Sequence, residues 1–102
     1  LAGYTSNQTW KSSTASVADG AWHHCAAVFA ETGVQLYVDG APSGSAAGNW
    51  RPPLWAGPYY IGAFTGGYAF PGSVDCIYLW GNYAATAGDI ADVFANDPHK
   101  PV

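Results

Sequence analysis

Between Asp19 and Gly40 the sequence reads DGAWHHCAAVFAETGVQLYVDG, and this stretch leaves the backbone few options. From Trp22 to Ala30 one parity carries His23, Cys25, Ala27 and Phe29, and from Val34 to Val38 one parity carries Val34, Leu36 and Val38. Such period-2 alternation predicts two strands that each turn one face toward a core. The opposite parity is mixed, with His24, Ala26 and Val28 and then Gln35 and Tyr37. Glu31-Thr32-Gly33 predicts a turn with its glycine at positive φ, and Asp39-Gly40 predicts a second turn directly after the outgoing strand. A β-hairpin at the heart of a sandwich is the expectation.

The remaining segments punctuate in the same way. Leu1 to Ala18 is rich in Ser and Thr and predicts one or two solvent-facing strands, with a glycosylation sequon at Asn7-Gln8-Thr9. Ala41 to Ala47 predicts a further strand, followed by a proline-stiffened aromatic loop from Gly48 to Pro58. Tyr59 to Ala63 predicts a strand, Thr65-Gly66-Gly67 a turn, and Phe70 to Trp80 a last long strand. Gly72 and Val74 share one parity and Ile77 and Leu79 the other, which an inserted residue near Asp75, a β-bulge, would explain. Thr86 as N-cap, Asp89 three residues on, and Ile90, Val93 and Phe94 on one face predict a short helix ending before Pro98. Trp22, Phe29, Phe70 and Phe94 sit where these patterns point inward.

Asp19-Gly20-Ala21-Trp22-His23-His24 followed by Leu36-Tyr37-Val38-Asp39-Gly40 resembles the laminin G-like, concanavalin A-like jelly-roll superfamily. The second half agrees: Tyr59-Tyr60-Ile61-Gly62-Ala63, then Phe70-Pro71-Gly72-Ser73-Val74-Asp75, then a strand and a short helix, resemble that superfamily's closing segment in the same order. The resemblance implies an all-β fold, an antiparallel β-sandwich (jelly roll) with a short C-terminal helix, as a single partial domain over residues 1–102. Such sandwiches use more strands than the roughly six or seven this chain offers, and the chain begins where the superfamily is already mid-domain. N-terminal strands are therefore expected to lie elsewhere, in a longer polypeptide or in other copies or subunits that cover the open sheet edges.

Composition narrows the function. The net charge of −4 sets seven acids against Lys11, Arg51 and Lys100, which are far apart in sequence. Nucleic-acid binding needs clustered Lys and Arg, so no nucleic-acid partner is expected. Anionic membranes are disfavoured by the same count, and no run approaches the roughly 18 apolar residues of a membrane span. No basic-then-apolar leader begins at Leu1, so a secretion signal would lie upstream. Cys25 and Cys76 are too far apart for a metal motif, and their parities differ, which argues against a disulfide unless a bulge reverses one of them.

No enzymatic activity is expected. Glycosidases of this superfamily place two acids about 5–10 Å apart, whereas Glu31 is the chain's sole glutamate and sits at a hairpin turn. Asp19 and Asp39 belong to turns, Asp89 and Asp92 to the helix, and no Gly-x-Ser-x-Gly elbow occurs. His23 and His24, adjacent on a strand, point to opposite faces and do not converge on one metal ion; one ring is expected to be packed and hydrogen-bonded, the other exposed. No cofactor is expected. A calcium site would need two of Asp19, Asp39 and Asp75 together with carbonyls from the Trp50 or Gly66 loops.

Five tryptophans and seven tyrosines remain to be explained, and some of them fall in loops. Flat rings beside Asn or Arg suit sugar faces and equally suit protein interfaces. Asn49, Trp50, Arg51, Trp55 and Tyr68 are the candidate ligand-binding residues. The leading expectation is a non-catalytic extracellular recognition module for glycans or glycosylated surfaces. Its alternative is an assembly module of an extracellular filament, surface layer or viral particle, in which the same rings pack against a protein surface.

Overall fold

The structure, a computed structural model, describes residues 2–4, 10–48, 71–81 and 83–96. Strands β1 (Ala2–Tyr4) and β2 (Trp10–Ser12) form an antiparallel pair, and β3 (Cys25–Ala30), β4 (Gly33–Val38) and β5 (Ala41–Ala47) form a three-stranded antiparallel sheet in the order β3-β4-β5. Helix α1 (Ala87–Ala95) follows, close to β5. The smaller sheet lies over the larger one, β1 beside β4 and β2 beside β5. The expected antiparallel sandwich with a short helix near its end is what the chain forms.

Turn chemistry sets the hairpins. Val38 pairs with Ala41, so Asp39 and Gly40 are the two loop residues, and both have positive φ, 53° and 80°. That is the type I′ geometry whose twist matches the strands it joins, and Asp-Gly is among the pairs that adopt it most readily. Ala30 pairs with Gly33, which leaves Glu31 and Thr32 as the other two-residue loop. Gly33 does not have the positive φ that its sequence context predicts. Its lack of a side chain serves packing instead, because a Cβ there would stand 2.5 Å from the Ala46 carbonyl oxygen.

Between the pairs Gln35↔Ser45 and Tyr37↔Pro42, Leu36 faces two residues of β5, a β-bulge. Gly44 takes it up with φ 114°, and the Gln35 amide donates to both Leu36 O and Gly44 O at 3.0 Å. Ser43, buried in the same bulge, accepts from Ala15 N–H at 2.9 Å through its hydroxyl, and its carbonyl accepts from Thr14 N–H at 2.9 Å. These bonds tie the chain leaving β2 to β5.

The core centres on β4. Val34, Leu36 and Val38 are buried as their alternation predicts, and Tyr37 of the other parity is buried too, because the central strand is covered on both faces. Paired residues share a face, so Cys25, Ala27 and Phe29 do lie on the face of Val38, Leu36 and Val34. They are nevertheless exposed, Phe29 by 42%, and Trp22 by 56%. The inward placement expected for Trp22 and Phe29 is thus corrected: parity gives the face, but β3 is an edge strand among the described residues, and nothing described covers it. No disulfide joins Cys25 and Cys76.

Helix α1 begins as its sequence predicts. Thr86 Oγ1 accepts from Asp89 N–H at 3.2 Å and an Asp89 oxygen accepts from Thr86 N–H at 2.9 Å, a complete capping box. Ile90 is buried, and Val93 and Phe94 are half-buried. The expected long strand to Trp80 is not found in its described part, 71–80, which is irregular. Cys76 has φ 53° there, which no β-ladder residue adopts. The interruption falls one residue past the position expected for a bulge.

Candidate functional site

Two side-chain arrangements stand out, and the first is a clasp. His23 Nε2 lies 2.8 Å from Asp19 Oδ1 and His23 Nδ1 lies 2.7 Å from Asp39 Oδ2. The second oxygen of Asp39 accepts the His24 N–H at 3.0 Å, and Asp19 Oδ1 also accepts the Ala21 N–H at 3.0 Å. One imidazole thereby joins the loop entering β3 to the turn between β4 and β5. The neighbouring His24 ring packs on Phe94 of α1, centroids 5.6 Å apart, and its buried Nδ1 has no hydrogen-bond partner. Neither ring is fully exposed, contrary to the expectation for one of them; hydrogen bonding goes to His23 and packing to His24. Because Asp39 and Asp19 are committed to an imidazole, the clasp serves architecture. Among the described residues no group of three or more His, Cys, Asp or Glu is arranged to hold a metal ion.

The clasp gives folding a pH dependence of definite sign. Hydrogen bonds to Asp39 and then Asp19 raise the His23 pKa above its ordinary 6.5. The bond from His23, with help from the Ala21 N–H, holds the Asp19 carboxyl below its ordinary 3.8. Desolvation pushes Asp39 up, yet the His23 and His24 bonds outweigh it and leave that carboxyl below 3.8 as well. A raised histidine stabilises the fold fully below 6.5 and loses its contribution as pH rises through the folded value; the lowered carboxyls stabilise above 3.8 and lose theirs as pH falls through their folded values. The urea midpoint is expected to be highest between 3.8 and 6.5 and to fall on both sides. In Asp39→Asn the alkaline fall should flatten; an unchanged profile would mean that the clasp is not formed in solution.

The second arrangement is a groove of about 300 Å³ between helix α1 and the residues Trp80, Tyr83 and Ala85 that precede it. Buried Ile90 and half-buried Val93 supply its apolar surface, and the rings of Trp80 and Tyr83 line it while remaining 55% and 60% exposed. Trp80 stacks on Tyr78 with centroids 6.1 Å apart and planes 20° from parallel, which makes one broad aromatic surface. Asp89 and Asp92, three residues apart and so on one side of the helix, also line the groove. The Tyr83 hydroxyl donates to Asp89 Oδ2 at 2.6 Å, the same oxygen that caps the helix. This bond, with the Thr86 backbone behind it, holds the Asp89 carboxyl below its ordinary value, so the groove is anionic. Exposed rings, an apolar floor and convergent acceptors are the composition of a small-ligand site.

Asn49, Trp50, Arg51, Trp55 and Tyr68, the ligand-binding candidates read from the sequence, lie outside the described residues. So do the sequon, the Tyr59 strand, the Gly66 turn and Phe70. Sequence reasoning missed the groove. Its signal is Trp80 and Tyr83 three apart ahead of a capped helix with acids at Asp89 and Asp92, which is visible only once the helix is placed against those rings. The clasp was missed in the same way, since Asp19 and Asp39 were each explained by their own turn.

A search of curated proteins finds no match to this chain. Among solved structures, the chain is similar to an S-layer domain-containing protein (residues 221–444) from Clostridium thermocellum, with a TM-score of 0.68 and 19% identity. The match covers 85% of this chain and 45% of that one, so the chain spans less than half the length of the structure it resembles. Likeness at that identity concerns the fold. Residues 2–91 match a laminin G family model described as the concanavalin A-like lectin/glucanases superfamily. With most of its length inside that match, the chain belongs to the laminin G-like family of the concanavalin A-like lectin/glucanase superfamily.

Proposed function

We propose that this chain is a non-catalytic recognition module, displayed outside the cell or on a particle surface, that binds glycans or glycosylated surfaces. The observation that carries the reading is the groove beside α1, where exposed aromatic rings meet unspent carboxylate oxygens. A pyranose offers a CH face to a ring and hydroxyl donors to carboxylates, and this groove has both partners. Asn49, Trp50, Arg51, Trp55 and Tyr68 form a second set of contacts in this reading. No cofactor enters it, and a surface location accords with the superfamily and with the S-layer domain neighbour.

Assembly is the alternative, and one observation favours it. Val74, Ile77 and Leu79 are 51%, 50% and 84% exposed, more apolar surface in one short segment than scattered surface residues provide. On that reading other copies or subunits cover this segment and the edge of β3 that no described strand pairs with. Calorimetric titration with neutral oligosaccharides separates the two. Recognition predicts binding that Trp80→Ala weakens by about tenfold or more with the molecular mass unchanged. Assembly predicts no sugar binding and a mass that falls in Leu79→Lys. Release of reducing ends from any oligosaccharide would overturn the non-catalytic reading.

A further inference from the structure

We infer that the groove beside α1 prefers amino-bearing sugar units, of the glucosamine type, over their N-acylated and acidic counterparts; this rests on the glycan reading above. The hydrogen-bonding inventory decides it. Asp89 Oδ2 already accepts from Tyr83 and Thr86, but its other oxygen has no hydrogen bond from a described residue, and neither does the Asp92 carboxylate. No Lys, Arg or His is among the described residues lining the groove. The charged groups turned toward a ligand are therefore all acceptors, the Tyr83 hydroxyl spends its proton on Asp89, and the Trp80 indole N–H is the one side-chain donor left among the described lining residues.

A ligand must bring donors to such a site. An ammonium group brings three with a positive charge, and can sit over the faces of Trp80 and Tyr83 while bonded to Asp92. An acetylated nitrogen loses the charge, keeps one donor and adds a carbonyl for which only the Trp80 indole N–H among the lining side chains is a donor. A uronic carboxylate would face Asp89 and Asp92 directly, and the chain as a whole carries −4. Hydroxyl donors alone satisfy the carboxylates of a neutral sugar site, so binding of plain oligosaccharides is compatible with the preference but is weaker.

The test compares three tetrasaccharides by calorimetry with the intact chain: fully deacetylated glucosamine, N-acetylglucosamine and galacturonate, at low salt and mildly acidic pH where the amines are protonated. The glucosamine oligomer is expected to bind about five- to tenfold tighter than the acetylated one, and galacturonate not at all. Asp92→Asn should bring the first two to within about twofold, Asp92→Glu should restore the gap, and far-UV circular dichroism checks that α1 survives in both. Equal or tighter binding of the acetylated or acidic oligomer overturns the preference and leaves glycan recognition standing. Binding of none of the three overturns both. A preference that persists in Asp92→Asn and is insensitive to Trp80→Ala places the amine elsewhere and overturns the assignment to this groove.

Discussion

Leu36→Ala is expected to destabilise the fold by about 3 kcal/mol and to lower the thermal midpoint by roughly 10–20 °C. Leu36 is fully buried, lies in the central strand and packs in one cluster with Val34 and Ala46. Opposite it stands the bulge, where Ser43 and Gly44 together face a single residue. That neighbourhood is held by the Gln35 amide and the Ser43 bonds to Thr14 and Ala15, so it is poorly placed to collapse into the vacated volume. Costs of large-to-small changes are greatest where the surroundings cannot relax. Leu79→Ala is the control: at 84% exposure it is expected to change stability by no more than about 0.5 kcal/mol. Equal effects of the two substitutions in chemical denaturation would remove Leu36 from the core.

Gly40→Ala is expected to cost about 2–4 kcal/mol, from backbone strain and overpacking together. Gly40 has φ 80°, and a Cβ on it would stand 2.8 Å from Phe94 Cδ2 and 3.3 Å from Phe94 Cγ. Gly20 has the same φ of 80° but nothing within 4 Å of its would-be Cβ. Gly20→Ala should therefore lose only the strain, about 1–2 kcal/mol, and the difference between the two variants reads out the contact with the helix. Phe94→Ala in the Gly40→Ala background should recover part of that difference, as contacting sites couple. Because Phe94 shares α1 with Asp89, Ile90 and Val93, displacing it should also weaken ligand binding in the groove, which Gly20→Ala should leave intact. Identical losses in Gly40→Ala and Gly20→Ala would show that the helix does not rest on the turn.

How much of this could be read in advance depends on the range of the interaction. Asp39-Gly40 announces a tight hairpin because two residues and their φ preferences suffice to specify it. Thr86 and Asp89 announce the helix start for the same reason, the partners being three residues apart. Gly33 is the counterexample. Its sequence context points to a turn at positive φ, whereas its role is to let the Ala46 carbonyl approach from another strand. Phe29 is another: alternation gives its face correctly, but exposure depends on what lies over an edge strand. For the site, Trp80 and Tyr83 draw no notice in the chain beside the loop aromatics Trp50 and Trp55. Only their meeting with Asp89 and Asp92 gives them a chemistry.

The sequence by itself determined the strands β3 to β5, their two hairpins, the capped helix and the family to which these belong. All of these follow from side-chain periodicity and from backbone preferences acting over a few residues. The tertiary structure alone decided that one imidazole is held between Asp19 and Asp39, that Phe94 closes over Gly40, and that aromatic rings and carboxylates share a groove. Those outcomes bring together groups distant in the chain, and their energies depend on distance, direction and solvent access, which no pattern of neighbours encodes.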